Sequence, residues 1–263
     1  SGPRMPNSAL RGFGVLVTRP TAQSAELINA IEASGGTAIH FPAIEIAPRE
    51  AADIVGELAD SPRADIALFA SKNAVEYGAR HANADLLGAI GPSTAEALRA
   101  LGLTVAIEPS QGYDSEHLLE HPALQDVEGK HVRIIRGGDG RKLLAKTLRE
   151  RGARVTYLDV YGRILPSFTA DRLAEIESAW RSGMIGAITV MSVQTLDNLA
   201  VLLPAWCRSR LDSIPLVTPA KRVLKEALDR YPASKPVLAK GPQAADMLDA
   251  IISIHRTGSG PAS

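Results

Sequence analysis

The sequence predicts an α/β protein of two lobes, each built on a parallel sheet, and three observations predict it. Short apolar runs of strand length alternate with helix-length stretches along most of the chain, the pattern of doubly wound parallel sheets. The same grammar is written twice. GFGVLVTRPTAQSAELINAIEASGGTAIHFPAIEI from Gly12 returns as KHVRIIRGGDGRKLLAKTLRERGARVTYLDVYGRI from Lys130, and IALFASKNAVEYGA returns as AITVMSVQTLDNLA. LLGAIGPSTAEALRALGLTVAIEP returns as IPLVTPAKRVLKEALDRYPASKPVLAKGP, so Arg19 matches Arg136, Ser71 matches Ser192 and Gly91 matches Thr218. Third, two segments, FPAIEIAP (41–48) and DVYGRILP (159–166), follow equivalent strands, alternate apolar with polar residues and end in proline. They read as extended connectors, so the chain is expected to cross between lobes twice.

The elements follow in order. VLVT (15–18) is a continuous apolar run expected to be buried on both faces. A helix is predicted from about Ala22 to Ala33, with Leu27, Ile28 and Ile31 at helical spacing and Gly35-Gly36 as its stop. TAIHF (37–41) is the next strand, and further strands are expected near 66–70, 86–90, 103–107, 131–135, 154–158, 186–191, 214–218 and 236–240, with helices between them. One lobe then holds 46–160 and the other 12–43 with 165–255, leaving 1–11 and 256–263 as flexible termini. Two homologous lobes imply a cleft between them, where function is expected.

Composition narrows the function. Lysine and arginine number 29, aspartate and glutamate 29, and aromatics make up 4%. Neither bulk positive charge nor a base-stacking platform is present, which argues against nucleic acid. A locally positive cleft for a small anion stays open. No apolar run approaches the ~18 residues of a membrane span, and SGPRMPNSALRG lacks the apolar core of a secretion signal. The single cysteine, Cys207, excludes an internal disulfide, fits a reducing compartment and reads as a packing residue.

Candidate chemistry clusters where strands end and helices begin. Arg136-Gly137-Gly138-Asp139-Gly140-Arg141 joins the strand HVRII to the helix KLLAKTLRERG. Glycines there admit backbone N–H groups to an anion, and the helix N-terminus adds partial positive charge. The loop is neither GxGxxG nor Walker A, so it supports no dinucleotide or ATP site, and it reads either as an anion cradle or as a tight turn. Ser71-Lys72-Asn73 and Gly91-Pro92-Ser93-Thr94 precede helices, and Ser192 and Thr218 begin the matching helices of the repeat. Each alone is an ordinary N-cap. Several together at the carboxyl ends of parallel strands point to a ligand. His117-Leu118-Leu119-Glu120-His121 matches the H-x-x-E-H zinc motif, but Pro122 cuts its helix short, so it reads as a solvated helix end. No other His, Cys or acidic cluster has ligand spacing. Tyr161 lies in the second connector, where its hydroxyl either enters the cleft or packs against the connector.

Together VLVTRP, FASKNAV, AIGPSTAEALRALGL, RGGDGRKLLAKTLRERGA and VYGR resemble uroporphyrinogen-III synthase, the cyclase of tetrapyrrole biosynthesis, over roughly 13–254. Ala70 stands where that family usually has threonine. The resemblance implies two α/β lobes of flavodoxin-like character joined by a two-stranded connector, and a cofactor-free lyase reaction in a cytoplasmic, monomeric enzyme of haem biosynthesis. Its substrate is hydroxymethylbilane, a linear tetrapyrrole with eight carboxylates, which loses water and closes with ring D inverted. On this resemblance Tyr161 assists the leaving hydroxyl. Ser71, Asn73, Thr94, Ser192 and Thr218, with Arg19, Arg136, Gly137, Gly138 and Arg141, contact the substrate. The other class the sequence allows is a non-catalytic two-lobed module that binds small anions.

Overall fold

The computed structural model describes residues 7–112, 114–138 and 142–258. In chain order the elements are β1 (Gly14–Val17), α1 (Ala25–Ala33), β2 (Thr37–His40), β3 (Glu45–Pro48), α2 (Ala51–Leu58), β4 (Ala64–Phe69), α3 (Lys72–Gly78), β5 (Ala84–Ala89) and α4 (Pro92–Ala100). They continue as α5 (Ser115–Leu119), α6 (Pro122–Gln125), β6 (His131–Arg136), α7 (Lys142–Glu150), β7 (Arg154–Asp159) and β8 (Tyr161–Ile164). The chain closes with α8 (Ala170–Arg181), β9 (Ile185–Thr189), α9 (Val193–Leu202), α10 (Ala205–Arg208), β10 (Leu216–Thr218), α11 (Lys221–Arg230), β11 (Val237–Leu238) and α12 (Ala244–Gly258). Two compact units result: the described residues of Ser1–Glu45 with Ile164–Ser263, and Ile46–Arg163. β3 and β8 pair with each other as a two-stranded sheet, so the connectors are strands.

The first unit carries a sheet in the order β11-β10-β9-β1-β2 with all pairs parallel. Renumbered within the unit this is 2-1-3-4-5, the flavodoxin-like doubly wound order. Every residue of β1 is buried, and its side chains alternate between two cores. Leu16 faces Ile176, Leu196, Leu199 and Val223 from α8, α9 and α11, whereas Val15 and Val17 face Leu27, Ile31, Met247 and Ile251 from α1 and α12.

The second unit has the order β5-β4-β6-β7, again parallel. Ile66, Leu68, Val132 and Ile134 pack on α5, α6 and α7, while Ala67, Phe69 and Ile135 pack on α2, α3 and α4. Matched through the internal repeat, β7-β6-β4-β5 corresponds to β2-β1-β9-β10. The two units therefore share one strand order, entered by the chain at different points.

Three expectations are corrected. No strand forms at 103–107; Ile107 alone makes a parallel bridge to Gly88, in the place β11 holds in the other unit. The amides of Ala106 and Ile107 both reach Leu87 O, at 2.9 and 3.2 Å, and Pro109 has no N–H to extend a ladder. The helix expected from Ala22 begins instead as a 3-10 turn at Thr21–Gln23, with α1 starting at Ala25. Buried Ser24 interrupts it, its hydroxyl lying 3.1 Å from Arg19 O and 3.0 Å from Pro20 O, an alternative to regular helix bonding. Thr218 does not begin a helix: it ends β10, and α11 is capped at Ala220.

The second core also buries a charge that the sequence pattern does not announce. Arg133, in the middle of β6, is 1% exposed, and its guanidinium donates to Ala82 O (2.7 Å), Asn83 O (3.0 Å), Ser61 Oγ (3.0 Å) and Pro62 O (3.1 Å). It ties the turn after α2 and the turn before β5 to the sheet.

His131, two residues earlier, is buried, with Nε2 2.7 Å from Thr156 Oγ1 and Nδ1 without a hydrogen-bond partner among the described residues. Burial above all, then Arg133 and Arg154, push its pKa down, with Asp65 opposing. The folded chain thus keeps His131 neutral, while the unfolded chain takes up a proton near pH ~6.5. The unfolded state binds more protons in that window, so stability is full above pH ~6.5 and falls as pH drops toward the folded pKa. Thermal midpoints across that range should fall more steeply for the wild type than for His131→Gln; equal slopes would assign the acid sensitivity elsewhere.

Candidate functional site

In the second unit the connector places Tyr161 against two strand ends. Val160 N donates to Arg136 O (2.9 Å) and Arg49 N donates to Val160 O (3.0 Å), which stitches the chain before β8 between β6 and β3. Tyr161 is 7% exposed, and its hydroxyl lies 3.0 Å from Ser71 Oγ. Ser71 follows the carboxyl end of β4 and caps α3, accepting from Ala74 N at 3.1 Å. Gly137, the residue after β6, lies against the tyrosine ring: a Cβ there would stand 2.2 Å from Cε2 and from Cζ of Tyr161. The Tyr77 ring packs against that of Tyr161 at 5.9 Å between centroids. The ring thus packs within the second unit, and its hydroxyl lies on that of Ser71.

Arg136 is committed locally. Its Nε donates to Asp159 Oδ1 at 2.9 Å, and its guanidinium lies 3.6 Å from the centre of the Tyr157 ring. Gly138 adopts φ +88° with open space around it, so glycine serves the turn there. Arg141, with Asp139 and Gly140, lies outside the described residues. Asn73 is partly buried in the first turn of α3, and Thr94 is 4% exposed in the first turn of α4, whose N-cap is Gly91.

The first unit gathers hydroxyls at the carboxyl ends of three neighbouring strands. Thr18, Thr189 and Thr218 are each fully buried after β1, in β9 and in β10. Thr18 Oγ1 donates to Thr189 O, Thr189 Oγ1 donates to Leu16 O at 3.3 Å, and Thr218 Oγ1 accepts from Ala220 N at 3.2 Å. Ser192 caps α9, accepting from Thr195 N at 3.1 Å, and pairs with the Thr195 hydroxyl at 2.9 Å.

Arg19 stands apart from its counterpart in the repeat. Among the described residues its guanidinium hydrogen-bonds only neutral oxygens, Pro242 O at 3.5 Å and Gln23 Oε1 at 3.4 Å. Burial lowers its pKa, partly offset by Glu26. It lines a cavity of about 420 Å³ with Gln23, Glu26, Pro242 and Gln243, where the N-terminal ends of α1 and α12 meet. Of the residues lining it, Arg19 alone is a candidate from the sequence. Thr18 and Thr189, whose signal is a hydroxyl ending an otherwise apolar strand, bond to each other and to the backbone.

Two other motifs resolve locally. His117 turns back on Asp114, the N-cap of α5, at 2.6 Å, a hydrogen bond that raises its pKa. His121 Nδ1 accepts from Ala123 N and caps α6, so the two histidines serve separate helices. Among the described residues no group of three His, Cys, Asp or Glu could hold a metal. Cys207 is fully buried in the first unit, and burial, then Glu177, pushes its thiol up to about 11, where it packs and does not attack.

Two parallel α/β units with hydroxyls at their carboxyl strand ends define a class of two-unit, flavodoxin-like α/β proteins. The family model described as "Uroporphyrinogen-III synthase HemD" matches residues 25–251. Uroporphyrinogen-III synthase of Escherichia coli K12 is 32% identical over 206 residues, covering 74% of this chain and 82% of that protein. The Proteus mirabilis protein of the same name is 36% identical over 196 residues, covering 71% and 97%. The chain belongs to the uroporphyrinogen-III synthase family. In fold it is similar to a mutant uroporphyrinogen III synthase from the extreme thermophile Thermus thermophilus, with TM-score 0.55, 20% identity and coverage of 93% and 99%. It is likewise similar to uroporphyrinogen-III synthetase from Helicobacter pylori 26695, with TM-score 0.59, 14% identity and coverage of 92% and 99%.

Proposed function

We propose that this chain is a lyase of haem biosynthesis that dehydrates hydroxymethylbilane and closes it with ring D inverted. The family match across residues 25–251 carries this reading. Loss of the hydroxyl leaves an electrophilic azafulvenium. The substituted carbon of ring D attacks it to form a spiro-pyrrolenine, which fragments and recloses as the type III ring. The chemistry runs on the electron-rich pyrrole, so the protein's task is to fold the chain and to help water leave. Tyr161 donates a hydrogen bond to the departing hydroxyl, whose basicity rises as the carbon–oxygen bond breaks.

Carboxylates of the substrate fall to Asn73, Thr94, Ser192, Thr218, the amide of Gly138, and Arg19. Arg19 is favoured over Arg136 because it makes no salt bridge among the described residues, whereas Asp159 already pairs with Arg136. Arg19→Met is expected to raise KM about ten- to a hundredfold with kcat nearly kept, since a hydrogen bond to a charge is worth about 1.5–3 kcal/mol. An unchanged KM in steady-state kinetics would take Arg19 out of binding.

The function is tested by incubating the protein with hydroxymethylbilane and separating the oxidised products. Type III porphyrin is expected; a binding module without activity would leave only the type I ring that forms spontaneously. A cytoplasmic monomer is the form proposed, in keeping with the lone buried cysteine, and sedimentation at micromolar concentration tests the monomer.

A further inference from the structure

The geometry points to Ser71 and Gly137 as positioning residues that hold and orient the Tyr161 hydroxyl, neither being a contact for the substrate's carboxylates. The inference rests on the role proposed above for Tyr161. A serine hydroxyl has one proton and two lone pairs. At Ser71 one lone pair takes the Ala74 amide at 3.1 Å, and the hydroxyl lies 3.0 Å from that of Tyr161. If the serine proton goes to Tyr161, the phenol keeps its own proton for the leaving group. The chain of donors then runs from the first turn of α3 through Ser71 to Tyr161, each bond polarising the next. A serine so engaged has no proton left for a carboxylate. Ser192, its counterpart in the repeat, has no tyrosine on it among the described residues and pairs within its own helix turn through Thr195.

Gly137 fixes the ring as Ser71 fixes the hydroxyl. Its backbone is outside the left-handed region, unlike that of Gly138, so the turn itself does not require glycine there. What excludes a side chain is the phenol, 2.2 Å from where Cβ would stand. The backbone of β6 and its following residue thus form one wall for the ring, while Ser71 at the end of β4 sets the direction of the hydroxyl. Ala70 N donates to Ile135 O at 3.0 Å, which locks these two strand ends together.

The test is a pair of double-mutant cycles in the full chain. Ser71→Ala is expected to lower kcat about tenfold with KM nearly unchanged when Tyr161 is present, and to have little further effect in Tyr161→Phe. Loss of the α3 cap is common to both backgrounds and cancels. Ser71→Thr, which keeps the hydroxyl, should retain most turnover. An equal loss in both backgrounds, or an effect confined to KM, would make Ser71 a direct substrate contact and overturn the proposal while leaving Tyr161 in place. Full turnover in Tyr161→Phe would overturn it together with the role it rests on. Gly137→Ala should lower the thermal midpoint when Tyr161 is present and have no measurable effect in Tyr161→Ala; the same shift in both would remove the ring as the reason for glycine.

Discussion

Arg133→Met is expected to destabilise the unit Ile46–Arg163 by roughly 3–5 kcal/mol. The guanidinium makes four hydrogen bonds, three to carbonyls and one to the Ser61 hydroxyl, from a side chain that is 1% exposed. Each such bond to a charge is worth about 1.5–3 kcal/mol net, and each buried acceptor left without a donor adds a penalty of about 1–3 kcal/mol. Methionine fills much of the volume and water can re-satisfy part of the cage, which holds the loss below the simple sum. Burying the guanidinium costs free energy too, and its lowered pKa, caused by burial and then Arg154, shows that cost. Denaturant unfolding of the full chain, with amide exchange across β6 to locate the effect, measures the change. A loss under ~1 kcal/mol would mean that desolvation cancels the bonds.

The second large effect falls on turnover. Tyr161→Phe is expected to lower kcat about ten- to a hundredfold while the fold and most substrate affinity persist. The substitution removes one hydroxyl and keeps a ring that packs among Val75, Leu158 and Val160 and against Gly137. A hydrogen bond that strengthens as charge develops acts on the transition state and therefore on kcat. At about 1.5–3 kcal/mol for the bond and ~1.4 kcal/mol per decade, the loss spans one to two decades. Activity should not vanish, because dehydration of an electron-rich pyrrole is intrinsically easy. A kcat comparison with thermal melts run alongside decides it: wild-type turnover would remove Tyr161 from the mechanism, and a collapsed melting point would make its role one of packing.

The fold was legible because its signals are local. A strand buried on both faces, such as VLV, is a run of apolar residues whatever surrounds it, and Ser71 and Ser192 cap their helices through amides three residues away. The strand expected at 103–107 failed for want of pairing length, since its apolar residues reach the sheet only at Ile107. The wiring of the candidate site was not legible. Tyr161 and Ser71 are 90 positions apart, and the Arg133 cage draws on residues 50–72 positions away. No periodicity reports such contacts. An arginine within HVRII reads by alternation as an exposed strand residue, and only the folded turns at 61–62 and 82–83 make its burial possible. Arg19 and Arg136 look alike in the repeat, and it is Asp159, beside Arg136 in β7, that separates them.

Steering of ring closure by the protein and its acceleration by Tyr161 are the two roles proposed. The isomer composition of the product, measured for the wild type and for Tyr161→Phe at equal conversion, tests them most directly. Type III is predicted from both, formed more slowly by the variant, because the carboxylate contacts that fold the substrate are untouched. Type I alone from the wild type would mean that the protein does not steer ring closure.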